Sequence, residues 1–283
     1  MGLGRLARPL ANPALVGAAL LTALPLVWMV SVSLMPKGEA SRFPPPFWPS
    51  RPTLANYRHL LLPERHGAAV TDYHVLPAIG NSLAVAGLAT LFGLLLAIPA
   101  GYAFAKLRFR GRARLLQAVL ALVVVPGQVA MLPLFLMLRW AGLVNSYAGV
   151  IAPGLAGLYA ILFTRQAALS IPDEMLDAAR LDGASEGRIF VSIVLPLLRP
   201  IVVTLALFAF VTSWSDFLWP LIVLSDQQRY TLPIAIAAIS REHGMDVELM
   251  MAGAVLTSAP LLLLFLALQR FYFSGILGGS LKG

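Results

Sequence analysis

Few residues in this 283-residue chain could do covalent chemistry. Cysteine is absent, which removes thiolate nucleophiles, disulfides and sulfur-bound metals together. The four histidines, His59, His66, His74 and His243, are a thin supply for a metal site. One serine has a hydrolase-like setting, because Gly183-Ala184-Ser185-Glu186-Gly187 fits Gly-x-Ser-x-Gly. That motif needs a strand before it and a helix after it, and the serine needs a base within reach. Helix formers precede this one, and the topology below puts every histidine across the membrane from it. The hydrolase is therefore rejected. No His-Glu-x-x-His, phosphate-cradling glycine loop or Walker lysine occurs. The expectation is no catalytic residue, no metal and no cofactor on this chain.

One acid, Asp216, falls within an apolar stretch, flanked by Trp214 and Trp219. A charge at mid-bilayer costs about 2.5–3.5 kcal/mol on insertion scales. Asp216 should therefore face a pore, a polar partner or the outer boundary. An aromatic face beside a hydrogen-bonding group suits a sugar, so Trp214, Asp216 and Trp219 are candidates for pore or substrate contact. An interhelical hydrogen bond at the membrane edge explains them too.

The elements that carry these residues follow from composition. Hydrophobic residues make up 59% of the chain and charged residues 12%, against about 25% charged in a soluble domain. Mean hydropathy is +0.81. Lipid must therefore be the solvent for much of the surface. Six charge-poor windows approach the roughly 20 residues that a membrane helix needs. They lie between Arg8 and Lys37, from Tyr73 to Ala105, Leu115 to Leu138, Trp140 to Thr164, Arg199 to Ser225, and Leu249 to Gln269. The stretch Arg139 to Ser146 reads as a tight turn between the third and fourth. The first window exceeds the usual 7–15-residue signal core and reads as an uncleaved anchor.

Six spans put both termini on one side, and the cluster Lys106, Arg108, Arg110, Arg112 and Arg114 makes that side cytoplasmic. Pro25, Pro99, Pro126, Pro133, Pro153, Pro220 and Pro260 fall within the spans. Each removes a backbone hydrogen bond, either as a packing irregularity or as a broken helix beside a pathway. Gly93, Ala97 and Gly101 form a small-residue stripe suited to close helix packing. Residues 1–75 are expected to form the anchor and a proline-rich outer loop without strands. Residues 76–273 would form a transmembrane core and 274–283 a cytoplasmic tail.

The cytoplasmic loop 170–199 is the most informative segment. Ser170-Ile171-Pro172-Asp173 has the Ser-x-x-Asp form of a helix start. Helix formers follow to Leu181, and Gly183 should stop the helix. A second helix is expected from Ser185 to Leu195, ended by Pro196. A helix pair of this kind either lies on lipid or docks a soluble partner, and the residues alone leave both open.

The spacing carries a resemblance. Asp177-Ala178-Ala179, three residues, Gly183, nine residues, then Ile193-Val194-Leu195-Pro196 resembles the Glu-Ala-Ala loop of ABC importer permeases. Aspartate stands where the family has glutamate, which keeps the carboxylate. The likeness covers nearly the whole chain. Asn81-Ser82-Leu83, Gly101 to Gly111, Pro126 to Val129, Pro133-Leu134-Phe135, Gly142 to Ser146, Trp214 to Pro220 and the tail from Gln269 are similar to the sugar-importer branch. Asn usually fills the place of Ser215 there. Six spans with both ends inside resemble the smaller permease of maltose-type importers.

The resemblance implies an all-α integral membrane protein with the six-span type I ABC importer fold. It implies a binding-protein-dependent sugar permease in a bacterial or archaeal inner or plasma membrane. Asp177, Ala178, Ala179, Gly183, Ile193, Leu195 and Pro196 would form the ATPase-coupling loop. The implied partners are a second homologous permease, two cytoplasmic ATP-binding subunits, an extracytoplasmic sugar-binding protein and lipid, with no nucleic acid. A non-sugar solute, such as a glycerol-phosphate ester or polyamine, is the alternative cargo. A membrane-embedded enzyme and a stand-alone carrier are more distant readings, and one Asp within the spans is a poor supply for ion coupling.

Overall fold

The computed structural model describes residues 3–62, 64–66, 69–71, 75–242 and 246–280. His74 and His243, and the end of the expected tail at 281–283, lie outside them. Helices α1 (Leu3–Ser33) and α2 (Ala55–Leu61) come first. A two-stranded antiparallel hairpin follows, β1 (Glu64–His66) and β2 (Ala69–Thr71), with Arg65 opposite Val70. The expectation of a strandless outer loop is corrected here. Three-residue strands are too short to show an alternating pattern.

Next come α3 (Val75–Lys106), α4 (Arg112–Val124) and α5 (Gly127–Trp140). The next span is built from α6 (Tyr147–Ile151), a 3-10 turn and α7 (Leu158–Leu169). The loop 170–199 carries α8 (Asp173–Leu181) and α9 (Glu186–Leu197). The chain continues as α10 (Arg199–Trp214), α11 (Leu218–Val223), α12 (Leu232–Glu242) and α13 (Val247–Ser280).

Among the described residues, four stretches are long and apolar enough to cross a membrane: Leu15–Ser33, Val75–Lys106, Tyr147–Leu169 and Val247–Ala267. Two bent pairs pass the same test together. The α4–α5 pair bends by 106° and the α9–α10 pair by 78°. Counting each bent pair as one span gives six. The first bend follows from Pro126. Its ring disfavours helix at Val125, which is extended at φ −74 and ψ 119. Pro99, Pro133 and Pro260 are instead carried inside continuous helices.

The chain forms two compact units, Met1–Leu76 with Ala235–Pro260, and Pro77–Ile234 with Leu261–Gly283. In the first, the proline-rich segment 34–54 makes few backbone bonds of its own, among them the Thr53 amide to the Leu34 carbonyl at 2.9 Å, and side chains satisfy further groups. Glu248, 1% exposed, accepts the Ala40 amide at 2.8 Å. Glu39 accepts the Ser50 amide at 2.9 Å, and hydrogen bonds from Ser50 hold its carboxyl below the usual value. The Asn56 amide donates to the carbonyls of Ser33 and Met35, both at 2.9 Å.

In the second unit, α3 is the central post. Val85 belongs to a core with Val150, Trp219, Val223 and Ile234. Near the end of α3, Tyr102 and Ala105 belong to another with Ala168, Leu176, Ile189 and Val194. Between them α3 meets α7 at close range. A Cβ on Gly101 would sit 2.6 Å from Thr164 Cβ and 2.7 Å from the Ile161 carbonyl oxygen. The small-residue stripe thus packs within the subunit.

Candidate functional site

The α8 helix follows from its ends. Asp173 and Glu174 occupy its first turn and Arg180 its last, each favourable to the helix dipole. Its stop is a Schellman motif. The Gly183 amide donates to Arg180, and the Ala184 amide to Ala179, both at 3.0 Å, with Gly183 at φ +81. Ala179 and Ala184 then rest on one apolar cluster. Its centre includes Leu176, 1% exposed.

Two expectations about this loop are corrected. Ser170 does not cap α8, because its hydroxyl donates back to the Ala167 carbonyl at 2.8 Å, closing α7. Pro172 fills the cap position without a side-chain bond. Nor does Pro196 end the second helix, which runs on to Leu197. A proline inside an α-helix lacks one amide and presses on the carbonyl four residues back. A wide π turn over Phe190–Val194 precedes Pro196 and accommodates it. Ser185 caps α9, accepting the Arg188 amide at 3.4 Å. The hydrolase-like serine is thus a helix cap after a helix and a glycine turn.

The loop presents a distinct outer face. Asp177, Ala178, Leu181, Asp182 and Gly183 are exposed, Leu181 by 90%. Ala179 is half-buried. Ile193 packs on the cluster around Leu176, Leu195 packs beside Leu94 and Leu205, and Pro196 is exposed. Of the expected coupling residues, Asp177, Ala178, Gly183 and Pro196 are exposed, while Ala179, Ile193 and Leu195 pack against the core.

Residues that sequence reasoning did not assign to the loop hold it in place. Lys106 donates to the Ile171 carbonyl and to Asp173 Oδ1, both at 2.6 Å, from a side chain 7% exposed. That hydrogen bond, with the lysine charge, holds the Asp173 carboxyl below its ordinary value. Arg180 reaches Glu186 at 2.7 Å and Asp177 at 2.6 Å. Those two partners raise its pKa above an already high value, Glu186 first. The Tyr102 hydroxyl donates to Glu186 at 3.1 Å. The four-residue spacing of Tyr102 and Lys106, which puts both on one helix face, was the signal available.

At the other end of the unit, motif stretches quoted above meet. Asn145, left-handed at φ 57, accepts the amides of Ser225 and Asp226 at 3.1 and 3.2 Å. Its backbone carbonyl accepts from Arg229. The Asn81 amide donates to the carbonyls of Gln228 and Tyr230 at 2.8 and 3.0 Å. Ser82 accepts the Leu232 amide at 2.7 Å.

Asp216 lies in the break between α10 and α11, half-buried, with Oδ1 3.4 Å from the Trp219 amide. Trp214 is 1% exposed and stacks on Phe210. The Trp219 indole donates to the Gly149 carbonyl at 3.3 Å. Both indoles are committed to packing. Among the described residues no cluster of three metal-ligating side chains occurs.

Residues 89–277 match the family described as "Binding-protein-dependent transport system inner membrane component". The chain belongs to this family. It is a transport-system membrane component and not an enzyme. Relatives within this class agree along most of their length. The arabinooligosaccharides transport system permease protein AraQ of Halalkalibacterium halodurans is 35% identical, over 94% of this chain and 93% of AraQ. The lactose transport system permease protein LacG of Rhizobium radiobacter is 33% identical, over 70% of this chain and 72% of LacG. The fold is that of a bacterial ABC transporter involved in alginate import. There the TM-score is 0.80 at 20% identity, covering 96% of this chain and 99% of that one. Inner-membrane transport components of this architecture are multi-pass proteins of the cell membrane, as the apolar helices here require.

Proposed function

We propose that this chain is one permease subunit of an ATP-driven, binding-protein-dependent importer of a mono- or oligosaccharide, in a bacterial inner or plasma membrane. It would form half of the translocation pore beside a second, homologous permease. Two ATP-binding subunits would dock beneath it, and an extracytoplasmic sugar-binding protein would deliver the cargo. Family membership and the two sugar-permease relatives support the sugar over a glycerol-phosphate ester or polyamine.

The observation that carries this reading is the exposed face of α8. Leu181 stands 90% exposed, beside Ala178 and Gly183, on a helix that packs inward through Leu176 and Ala179. Small residues allow a partner to approach closely. Asp177, Ala178 and Gly183 would meet the ATPase, while Ala179, Ile193, Leu195 and Pro196 set the angle of the platform. Trp214, Asp216 and Trp219 enter as the frame of the helix break, with Asp216 capping α11. Burial of both indoles supports that role over a sugar site.

The test is a pull-down from native membranes in mild detergent, with subunits identified by mass spectrometry. Recovery of a second multi-span permease and an ATPase is expected. Recovery of this chain alone or as a homodimer, under several detergents, would overturn the reading.

A further inference from the structure

We infer that α8 and the last turn of α3 move as one body, and that Lys106 and Tyr102 are the positioning residues that make this so. The inference rests on reading α8 as the ATPase-docking element.

The covalent joints on either side of the loop are interrupted. Upstream, α7 ends at Ser170 and the backbone is extended at Pro172, with φ −59 and ψ 134. Downstream come the wide turn at Phe190–Val194 and the 78° bend between α9 and α10. The apolar cluster around Leu176 also includes Ala168 of α7 and Ile201 and Val202 of α10, so packing joins α8 to both spans, and hydrogen bonds add a tie to α3.

The contacts to α3 are short and lie at both ends of α8. At its start, the buried amine of Lys106 holds the Ile171 carbonyl and Asp173, each at 2.6 Å. At its end, Arg180 binds Glu186 at 2.7 Å, and Glu186 accepts the Tyr102 hydroxyl at 3.1 Å. Between the two, Leu176 is sealed into the same cluster as Tyr102 and Ala105. Tyr102 and Lys106 are one helical turn apart on α3. Arg112 closes that end of α3 by donating to the Ala105 and Leu107 carbonyls, both at 3.1 Å. Shifting α8 along α3 would strip hydrogen bonds from a lysine amine that is 7% exposed. An unpaired buried charge is costly, so α8 and the last turn of α3 move as one body.

The chain has no native cysteine, which suits paired spin labels. One label goes on α8 at Glu174→Cys and one on α3 at Leu95→Cys, both exposed positions. The chain is purified with its co-isolated partner subunits. The distance between labels is measured without nucleotide and with ATP and vanadate, with ATP hydrolysis as the assembly control. The expected result is one unchanged distance in both states for the otherwise native chain. In Lys106→Met/Tyr102→Phe, ATP should shift the distances to a new population while hydrolysis persists, and Lys106→Arg should restore the single distance. Tyr102→Phe alone keeps the ring against Phe190 and guards against misfolding. A nucleotide-dependent shift in the native background, or an unchanged distance in the double variant, overturns the clamp alone. Isolation without any ATPase overturns the function reading and the clamp together.

Discussion

The Gly183 amide lies 3.0 Å from the Arg180 carbonyl, and Gly183 adopts φ +81 to bring it there. A Cβ at this position would meet no atom within 4 Å. The cost of replacing it is therefore backbone strain, about 1–2 kcal/mol for a residue with a Cβ. Gly183→Ala should lower thermal stability slightly, and Gly183→Asn less. Gly183→Asp should reach the membrane at normal levels and abolish solute uptake. Normal transport by Gly183→Asp would remove the docking reading, since the fold leaves ample room for the new side chain.

Gly101 is the opposite case. A Cβ there would meet the Ile161 carbonyl oxygen at 2.7 Å, and backbone cannot step aside as a side chain can. Gly101→Ala should destabilise by about 1–3 kcal/mol, read as a lower melting temperature in detergent. Gly111→Ala is not a fair control, because Gly111 has φ +84. Gly80→Ala is, since the space around it is open.

Asn145 combines a left-handed backbone with a carbonyl that accepts two amides. Asn145→Ala loses both and should cost about 1–3 kcal/mol. Asn145→Gly recovers only the backbone, and Asn145→Asp recovers the acceptor. Limited proteolysis within 224–230 should rank them Ala fastest, Gly next, Asp slowest. Equal rates for all three would mean that Asn145 does not hold this segment.

Asp173 gives a pH prediction. Its carboxyl titrates below the ordinary value of 3.8 because Lys106 binds the charged form. A depressed carboxylate contributes stability above its unfolded pKa and loses it as pH falls through the folded value. Protection of the 170–199 loop from protease should therefore hold constant from about pH 8 to about pH 5. It should fall only below the ordinary carboxylate range. Asp173→Asn should lower protection across the whole range. A loss of protection near neutrality in the native chain would point to a different group.

The spans and the loop were legible because their signals are local. Charge-free length marks a span, and the Ser, Gly and Ala spacings of 170–199 mark a helix, a turn and a helix. The details that failed are those in which one residue had two possible partners. Ser170 suits the start of α8 and the end of α7 equally well, and Ala167 won. Pro196 reads as a terminator until a wide turn absorbs it. Lys106 counted as a topology charge because nothing local reveals an acceptor 65 residues away at Ile171. Asn81 and Asn145 were legible as motifs, but their bonds to 223–232 depend on the whole unit folding. The hairpin of β1 and β2 was too short to announce itself.

Those asparagine bonds have a thermodynamic consequence. The segment from Val223 to Leu232 is tied at Asn145, at Asn81 and at Ser82, with a 3-10 turn over Gln227–Arg229 held between the ties. Its disorder is surrendered when the subunit folds. Any partner that met this segment would find a shape already made and would not spend binding energy on ordering it.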